Sequence, residues 1–246
     1  MSAAGGAAPA CAADAVTRLY TELAERPERD FGWGKGRENA RALGYDPRWL
    51  ALLPDVAWES AAAVGNPFSA GPLHAGETVL DLGCGAGADA CIAALGVGSR
   101  GRVVGIDSTP AMIGKARRIA GILGLGNIEF HLGDMSATPL ADASVDVVIS
   151  NGAINLTAHK PCVFREASRV LKPGGRLQFA DMVRSGSGEA DACASWADCV
   201  AGTVEPQSYL DMLAGAGFAE ARLVSTTAYK TAPTTCGAVF AAVKKF

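Results

Sequence analysis

The stretch Val79-Leu80-Asp81-Leu82-Gly83-Cys84-Gly85-Ala86-Gly87-Ala88 is an apolar run that empties into a glycine-rich turn at the head of a helix. Glycines at such a junction accept positive φ and let a ligand approach backbone N–H groups. Twenty residues past Gly87, Asp107 ends the next apolar run, Val103-Val104-Gly105-Ile106, where a carboxylate can accept hydrogen bonds from a ribose diol. The chemistry these residues offer is recognition of a nucleoside.

Gly83, Gly85 and Ala88 also satisfy the looser dinucleotide fingerprint G-x-G-x-x-G/A, so the loop alone does not choose the ligand. Asp81 separates the two. A carboxylate two residues before the first glycine repels a pyrophosphate and attracts an ammonium or sulfonium group. S-adenosylmethionine carries both cations and no phosphate. The competing role for Asp81 is to tie the loop to neighbouring backbone amides. Farther along, Asp134 in Leu132-Gly133-Asp134-Met135 can accept from an adenine amino group while Met135 packs on the ring. Leu171-Lys172-Pro173-Gly174-Gly175-Arg176 reads as a helix stop and a turn into a strand.

The elements that must position these groups follow from the hydrophobic pattern. Strands are predicted at 78–82, 102–106, 128–132, 145–150 and 176–180, with helices at 88–97, 110–123 and 161–171 between them. Repeated βαβ units imply an α/β fold with a mostly parallel, doubly wound sheet covered on both faces. Beyond Asp181, helices are expected at 189–199 and 206–216, then strands near 221–225 and 237–243 that close the sheet with one antiparallel member. Residues 14–72, punctuated by Pro27, Gly32, Gly34, Gly36, Pro47, Pro54 and Pro67, read as an N-terminal helical cover, residues 1–13 as a disordered start, and 73–246 as the nucleoside-binding domain.

Composition bounds the partners. The chain has 246 residues, 49% hydrophobic and 19% charged, with a formal net charge of −3. That balance argues against a surface that grips nucleic acid, which needs clustered Lys and Arg. No stretch approaches the roughly 18 uncharged apolar residues of a membrane span. Seven cysteines, without C-x-x-C pairs or zinc-type spacing, point to reduced thiols, a cytoplasmic setting and no metal site. The oligomeric state stays open.

Taken in order, Asp81 to Gly87, Asp107, Gly133-Asp134 and Leu171 to Gly175 resemble the class I S-adenosylmethionine-dependent methyltransferases, over roughly residues 77–181. Within that superfamily the chain is most similar to the arsenite methyltransferase branch (methyltransferase type 11), through Gly65-Asn66-Pro67, Thr109-Pro110-Ala111-Met112-Ile113, Val147 to Asn151, Ile154-Asn155-Leu156 and Val163-Phe164-Arg165-Glu166. The resemblance implies a Rossmann-like sheet of seven strands. It also implies that Asp81, Gly83, Cys84, Gly85 and Gly87 form the methionine and ribose loop, and that Asp107 holds the ribose hydroxyls. By the same resemblance Ser108 and Met112 line ribose and adenine, Gly133, Asp134 and Met135 meet adenine, and Asn151 sits beside the methionine. The methyl group then points towards residues 152–156, which makes Asn155 a catalytic candidate.

The departures define the acceptor. Arsenite methyltransferases hold As(III) through convergent thiolates, since a soft trivalent centre prefers sulfur. In their pattern a Cys precedes Gly-Asn-Pro, where this chain has Val64, and another follows Ser-Asn, where it has Gly152; Cys199 alone matches a thiol position. Cys193 and Cys199 are too far apart for adjacent-turn pairing on one helix. The reading is therefore methyl transfer to a small-molecule acceptor with a soft or carbon nucleophile. The alternatives are arsenite methylation by Cys199 with a thiol cosubstrate, or a non-catalytic cofactor-binding homologue. His74, His131 and His159 are the histidines, and His159 reads as a helix-cap residue. Phe31-Gly32-Trp33-Gly34-Lys35-Gly36 reads either as a glycine-hinged lid or as an ordinary loop.

Overall fold

Strand residues alternate between two buried clusters with the period of two that a covered sheet demands. Val79, Val103, Val147 and Ile149 pack into one cluster, and Leu80, Leu82, Val104, Ile106 and Val148 into the other. In the computed structural model, which describes residues 10–185 and 202–246, these strands form one seven-stranded sheet. They are β1 (Thr78–Leu82), β2 (Arg102–Asp107), β3 (Ile128–Leu132), β4 (Val145–Asn151), β5 (Leu171–Arg184), β6 (Phe218–Thr226) and β7 (Thr235–Lys244). Their order is β3-β2-β1-β4-β5-β7-β6. β7 runs antiparallel to both β5 and β6, and the remaining pairs are parallel.

The chain passes from β1 to β2 and β3 on one side, then returns to place β4 on the other. The carboxyl ends of β1 and β4 therefore flank the switch point, where open α/β sheets bind ligands. Helix α5 (Ala88–Val97) starts directly after the glycine loop, with Gly87 in the left-handed region at φ 84° as its cap. Helices α6 (Pro110–Ile122) and α7 (Lys160–Val170) follow β2 and β4, and each carries a proline in its first turn, where no N–H is needed. α8 (Pro206–Gly215) precedes β6.

The N-terminal cover comprises α1 (Ala10–Glu25), α2 (Gly36–Ala42), α3 (Pro47–Leu52) and α4 (Asp55–Trp58). It is fused to one face of the sheet: Leu23, Ala40, Tyr45, Leu50, Leu53, Ala57 and Trp58 belong to the same buried cluster as Val79 and α5. Arg37 staples the turns together by donating to Leu50 O at 2.6 Å, Leu53 O at 3.0 Å and Asp55 at 2.6 Å.

Two expectations need correction. Helix α1 begins at Ala10, inside the stretch read as a disordered start, because alanines favour helix once the following apolar face has a partner. The Leu171–Gly175 segment lies within β5 as a bulge rather than before it. Leu171 pairs with Val145, and pairing resumes at Arg176 with Val147, while Gly174 takes φ 74° in between. The helix expected at 189–199 lies outside the described residues.

Candidate functional site

A cavity of about 390 Å³ opens at the carboxyl ends of β1, β2 and β4. Its floor is the glycine loop. An added Cβ at Gly83, where φ is 70°, would stand 2.2 Å from the Ala153 side chain, so only glycine lets this loop lie against the segment after β4. Gly85, at φ 51°, has nothing within 4 Å of that position, and its backbone is open to a ligand in the cavity. The cover supplies the facing wall through Val16, Thr17 and Tyr20 of α1, Tyr45, Trp58 and the run Ser60 to Ala63.

Asp107 ends β2 and fixes the loop. Its Oδ2 accepts the Gly85 N–H at 2.9 Å and its Oδ1 the Thr109 N–H at 2.8 Å, leaving further lone pairs for a diol. Burial raises its pKa, and the backbone N–H groups of Thr109 and Gly85 work against that rise. Asp81 is 2% exposed. Burial, then the charges of Asp89 and Asp107, push its carboxyl well above the usual range, while the Ala90 N–H at the start of α5 pulls it back. Asp81 Oδ2 is buried without a hydrogen-bond partner. An acceptor in that state calls for a cationic donor, which is the property the ammonium and sulfonium of S-adenosylmethionine supply.

Asn151, at the end of β4, makes four hydrogen bonds. Its Oδ1 accepts the Val64 N–H at 3.0 Å, and the two N–H groups of its Nδ2 are shared among three acceptors, Gly65 O at 3.0 Å, Tyr45 Oη at 2.9 Å and Asp89 Oδ2 at 2.9 Å. Tyr45 in turn donates to Asp89 at 2.8 Å. Burial first, then Asp89, raise the Tyr45 pKa well above its ordinary value, so this group is a neutral hydroxyl. Cys84 also lines the cavity; burial, followed by Asp81 and Asp107, pushes its thiol well up, which keeps it from acting as a thiolate.

A family model described as a methyltransferase domain matches residues 73–217. The chain belongs to the methyltransferase family. It is 43% identical over 179 residues to the arsenite methyltransferase of Halobacterium salinarum, covering 72% of this chain and 46% of that one. Among solved structures it is similar to the arsenic(III) S-adenosylmethionine methyltransferase of Chlamydomonas reinhardtii, at TM-score 0.63 and 28% identity, over 83% of this chain and 72% of that one. The cyclase SpnF shares the fold at TM-score 0.68 and 20% identity, over 97% of this chain and 98% of that one. The chain spans about half the length of the curated relatives it matches.

In this member of the family Asp81, Gly83, Cys84, Gly85, Asp107, Ser108, Met112, Gly133, Asp134, Met135 and Asn151 all line one cavity. Asp134 is exposed, and its Oδ1 accepts from Ser136 N at 2.7 Å and Ser136 Oγ at 2.8 Å. Gly87 is not on the wall. A Cβ there would meet Ala116 and Phe130 at 3.0 Å, so its smallness serves packing beneath the loop. Asn155 is fully buried and is not itself a lining residue, and its backbone N–H donates to Asp181 Oδ2 at 2.8 Å. Its place is under the wall formed by Leu156 to His159. Cys199 and Cys193 lie outside the described residues. Phe31 to Gly36 is not part of the cavity; Phe31 and Trp33 pack on each other at 5.5 Å, and Gly34 O accepts from Tyr229 Oη at 3.1 Å.

Sequence reading missed Tyr45 and Asp89. Asp89 carries a signal, since it lies in the first turn of the helix after the glycine loop. Tyr45 carries none, because only the folded cover brings it there. The two departures from the arsenite pattern prove to be neighbours: a Cβ on Gly152 would sit 3.3 Å from Val64 Cγ1. Positions that hold thiols in the pattern are thus adjacent here and hold an isopropyl group and a hydrogen.

Proposed function

We propose that the chain is an S-adenosylmethionine-dependent methyltransferase that moves a methyl group to a small-molecule acceptor with a soft or carbon nucleophile. The observation that carries the reading is Asp81 Oδ2, buried and unpartnered at the wall of a cavity whose loop is held by Asp107. When bound, the sulfonium supplies an activated methyl group. Asp81 holds the positive end, Asp107 and the Gly85 backbone hold the ribose, and Met112 and Met135 enclose the adenine. Asn151 positions the methionine portion. The apolar wall of Val16, Trp58 and Ala61 to Ala63 excludes water and sets acceptor and methyl group in line, a contribution of positioning rather than of acid–base chemistry.

Calorimetric titration with S-adenosylmethionine and with NAD tests the reading. Binding of the first and not the second is expected, and an Asp107→Ala variant should bind at least about tenfold more weakly, as loss of charge-assisted hydrogen bonds implies. Tight NAD binding without S-adenosylmethionine binding would overturn the reading.

Arsenite methylation is the second reading, favoured by the 43% identity to a protein of that name. It requires Cys199 with a thiol cosubstrate to replace the positions held by Val64 and Gly152. A mass-spectrometric assay for methylated arsenic tests it; full activity in Cys199→Ser removes the assigned ligand. A reducing, cytoplasmic setting fits the free thiols of Cys84, Cys91, Cys162 and Cys236, and no described helix is long and apolar enough to cross a membrane.

A further inference from the structure

Trp58, the last residue of α4, belongs to two walls at once. It lines the cavity together with Ser60 and the run Ala61 to Ala63, and it also lines a second cleft, of about 460 Å³, formed entirely by cover residues. The side chain is 2% exposed, so both spaces end on the same buried indole. Polarity changes across it. The cleft carries Glu28, Lys35, Arg37, Asp55 and Glu59, whereas Ala61 to Ala63 make the cavity side apolar. Packing alone holds the ring: it meets Tyr45 edge-on at 6.0 Å and 90°, and its Nε1 is buried without a hydrogen-bond partner. Buried indole N–H groups usually find an acceptor. Here no such bond is given up when an apolar side chain replaces the indole.

We propose that Trp58 is a specificity-determining residue that closes the acceptor space: it sets the largest acceptor that fits beside the cofactor, and a smaller side chain there joins the cavity to the outer cleft. The inference rests on the methyltransferase reading and deepens it. The groups assigned to the cofactor, from Asp81 to Asn151, come from the sheet and the segments that follow its strands, so the wall supplied by the cover is left to the acceptor. Trp58 also stands one ring from the methionine end, since Tyr45, on which it packs, accepts from Asn151 Nδ2 at 2.9 Å. Close packing makes the size limit sharp. Side chains in a packed wall yield only partly, so additional ring atoms of an acceptor meet overlap. Shortening a buried side chain leaves space that an apolar ligand can fill.

The test uses the full chain loaded with S-adenosylhomocysteine and ligand-observed NMR with phenol and 2-naphthol, two neutral probes of related chemistry that differ by one fused ring. The larger apolar surface of 2-naphthol favours it wherever space allows. The parent should nevertheless bind phenol more tightly, and Trp58→Leu should shift the preference towards 2-naphthol by at least about tenfold. Trp58→Phe keeps an aromatic partition and should shift it in the same direction by less; it decides the matter if the leucine variant does not fold. Trp49→Leu controls for general loosening of the cover: Trp49 packs on Phe68 at 5.1 Å, does not line the cavity, and should leave the preference unchanged. Tighter binding of 2-naphthol than of phenol by the parent, an unchanged preference in both Trp58 variants, an equal shift in Trp49→Leu, or no binding of either probe would overturn the proposal. Loss of S-adenosylhomocysteine binding in folded Trp58 variants would place the indole on the cofactor side and overturn it as well. Failure of the parent to bind S-adenosylhomocysteine is a separate result, seen before any probe is added, and it removes the methyltransferase reading together with this one.

Discussion

The side-chain amide of Asn151 donates to Asp89 Oδ2 at 2.9 Å, joining the end of β4 to the first turn of α5 on the wall of the cavity. The same amide reaches Tyr45 and Gly65, so cover, sheet and helix meet at one hydrogen-bond network. Burial raises the Asp89 pKa, while Asn151 and Tyr45 oppose the rise by donating to the carboxylate. Such a network holds its members in one arrangement because a missing donor leaves a partly buried charge unsatisfied.

Tyr45→Phe removes a donor to Asp89 and an acceptor for Asn151 while keeping the ring. Denaturant unfolding should show a loss of about 1 to 2 kcal/mol, the cost of leaving a buried polar partner unmade. Cofactor affinity should fall as well, since Asp89 and Asn151 both line the cavity. A variant as stable as the parent would show that the network is not holding the cover.

The two loop glycines should separate folding from binding. Gly83→Ala forces a Cβ against Ala153 at a positive φ, and is expected to lower stability by on the order of 2 kcal/mol or more. Gly85→Ala meets no neighbour, and should cost about 1 kcal/mol of stability for its φ alone. Its methyl group projects into open space beside the cavity, so calorimetry should find cofactor binding weakened well beyond that loss.

Asp181 is fully buried beneath the wall segment, accepting from Asn155 N at 2.8 Å, Met182 N at 2.8 Å and Tyr209 Oη at 3.1 Å. Burial raises its pKa to about 7, against the opposing pull of those donors and of Lys160. Lys160 is itself lowered by burial, an effect that the Asp181 charge opposes. A carboxyl raised on folding binds its proton more tightly in the native state, so its stabilising contribution is full below about pH 4 and declines as pH rises to about 7. The carboxyl carbon of Asp181 should titrate near 7 by NMR; a midpoint below about 5 contradicts the burial argument.

Glu166 shows the opposite sign. Burial alone would raise it, but hydrogen bonds from Arg169 and Thr138 outweigh burial and lower its pKa. It accepts from Arg169 at 2.7 and 2.8 Å and from Thr138 at 2.6 and 2.7 Å. Its contribution is therefore present above the unfolded value of about 4.3 and is lost as pH falls through the lower folded value. Glu166→Ala should cost about 2 to 3 kcal/mol at pH 7 and noticeably less at pH 3, measured by chemical denaturation.

The sheet and the nucleoside loop were legible because they rest on local rules. An apolar run of five residues ending in Gly83-Cys84-Gly85 has few conformations available, and Asp107 must end the next parallel strand wherever the βαβ hand is right. The predicted strands 78–82 and 128–132 and the helix 88–97 coincide with those observed. The bulge at Lys172 to Gly175 escaped because a turn signal does not say whether pairing resumes on the same neighbour.

The acceptor side was not legible, for a physical reason. Tyr45, Trp58 and Ala61 to Ala63 reach the cavity only because the cover packs against α6 and shares one buried cluster with α5 and β1, a long-range packing event with no local signature. Asn155, adjacent in sequence to wall residue Leu156, turns inward because its backbone N–H is claimed by Asp181 from another strand. The sequence by itself determined the fold class, the glycine loop and the cofactor's charge preference. Tertiary packing alone decided that Trp58 stands between the cavity and an outer cleft, that Val64 touches the place where a side chain on Gly152 would be, and that Tyr45 closes the network between Asp89 and Asn151.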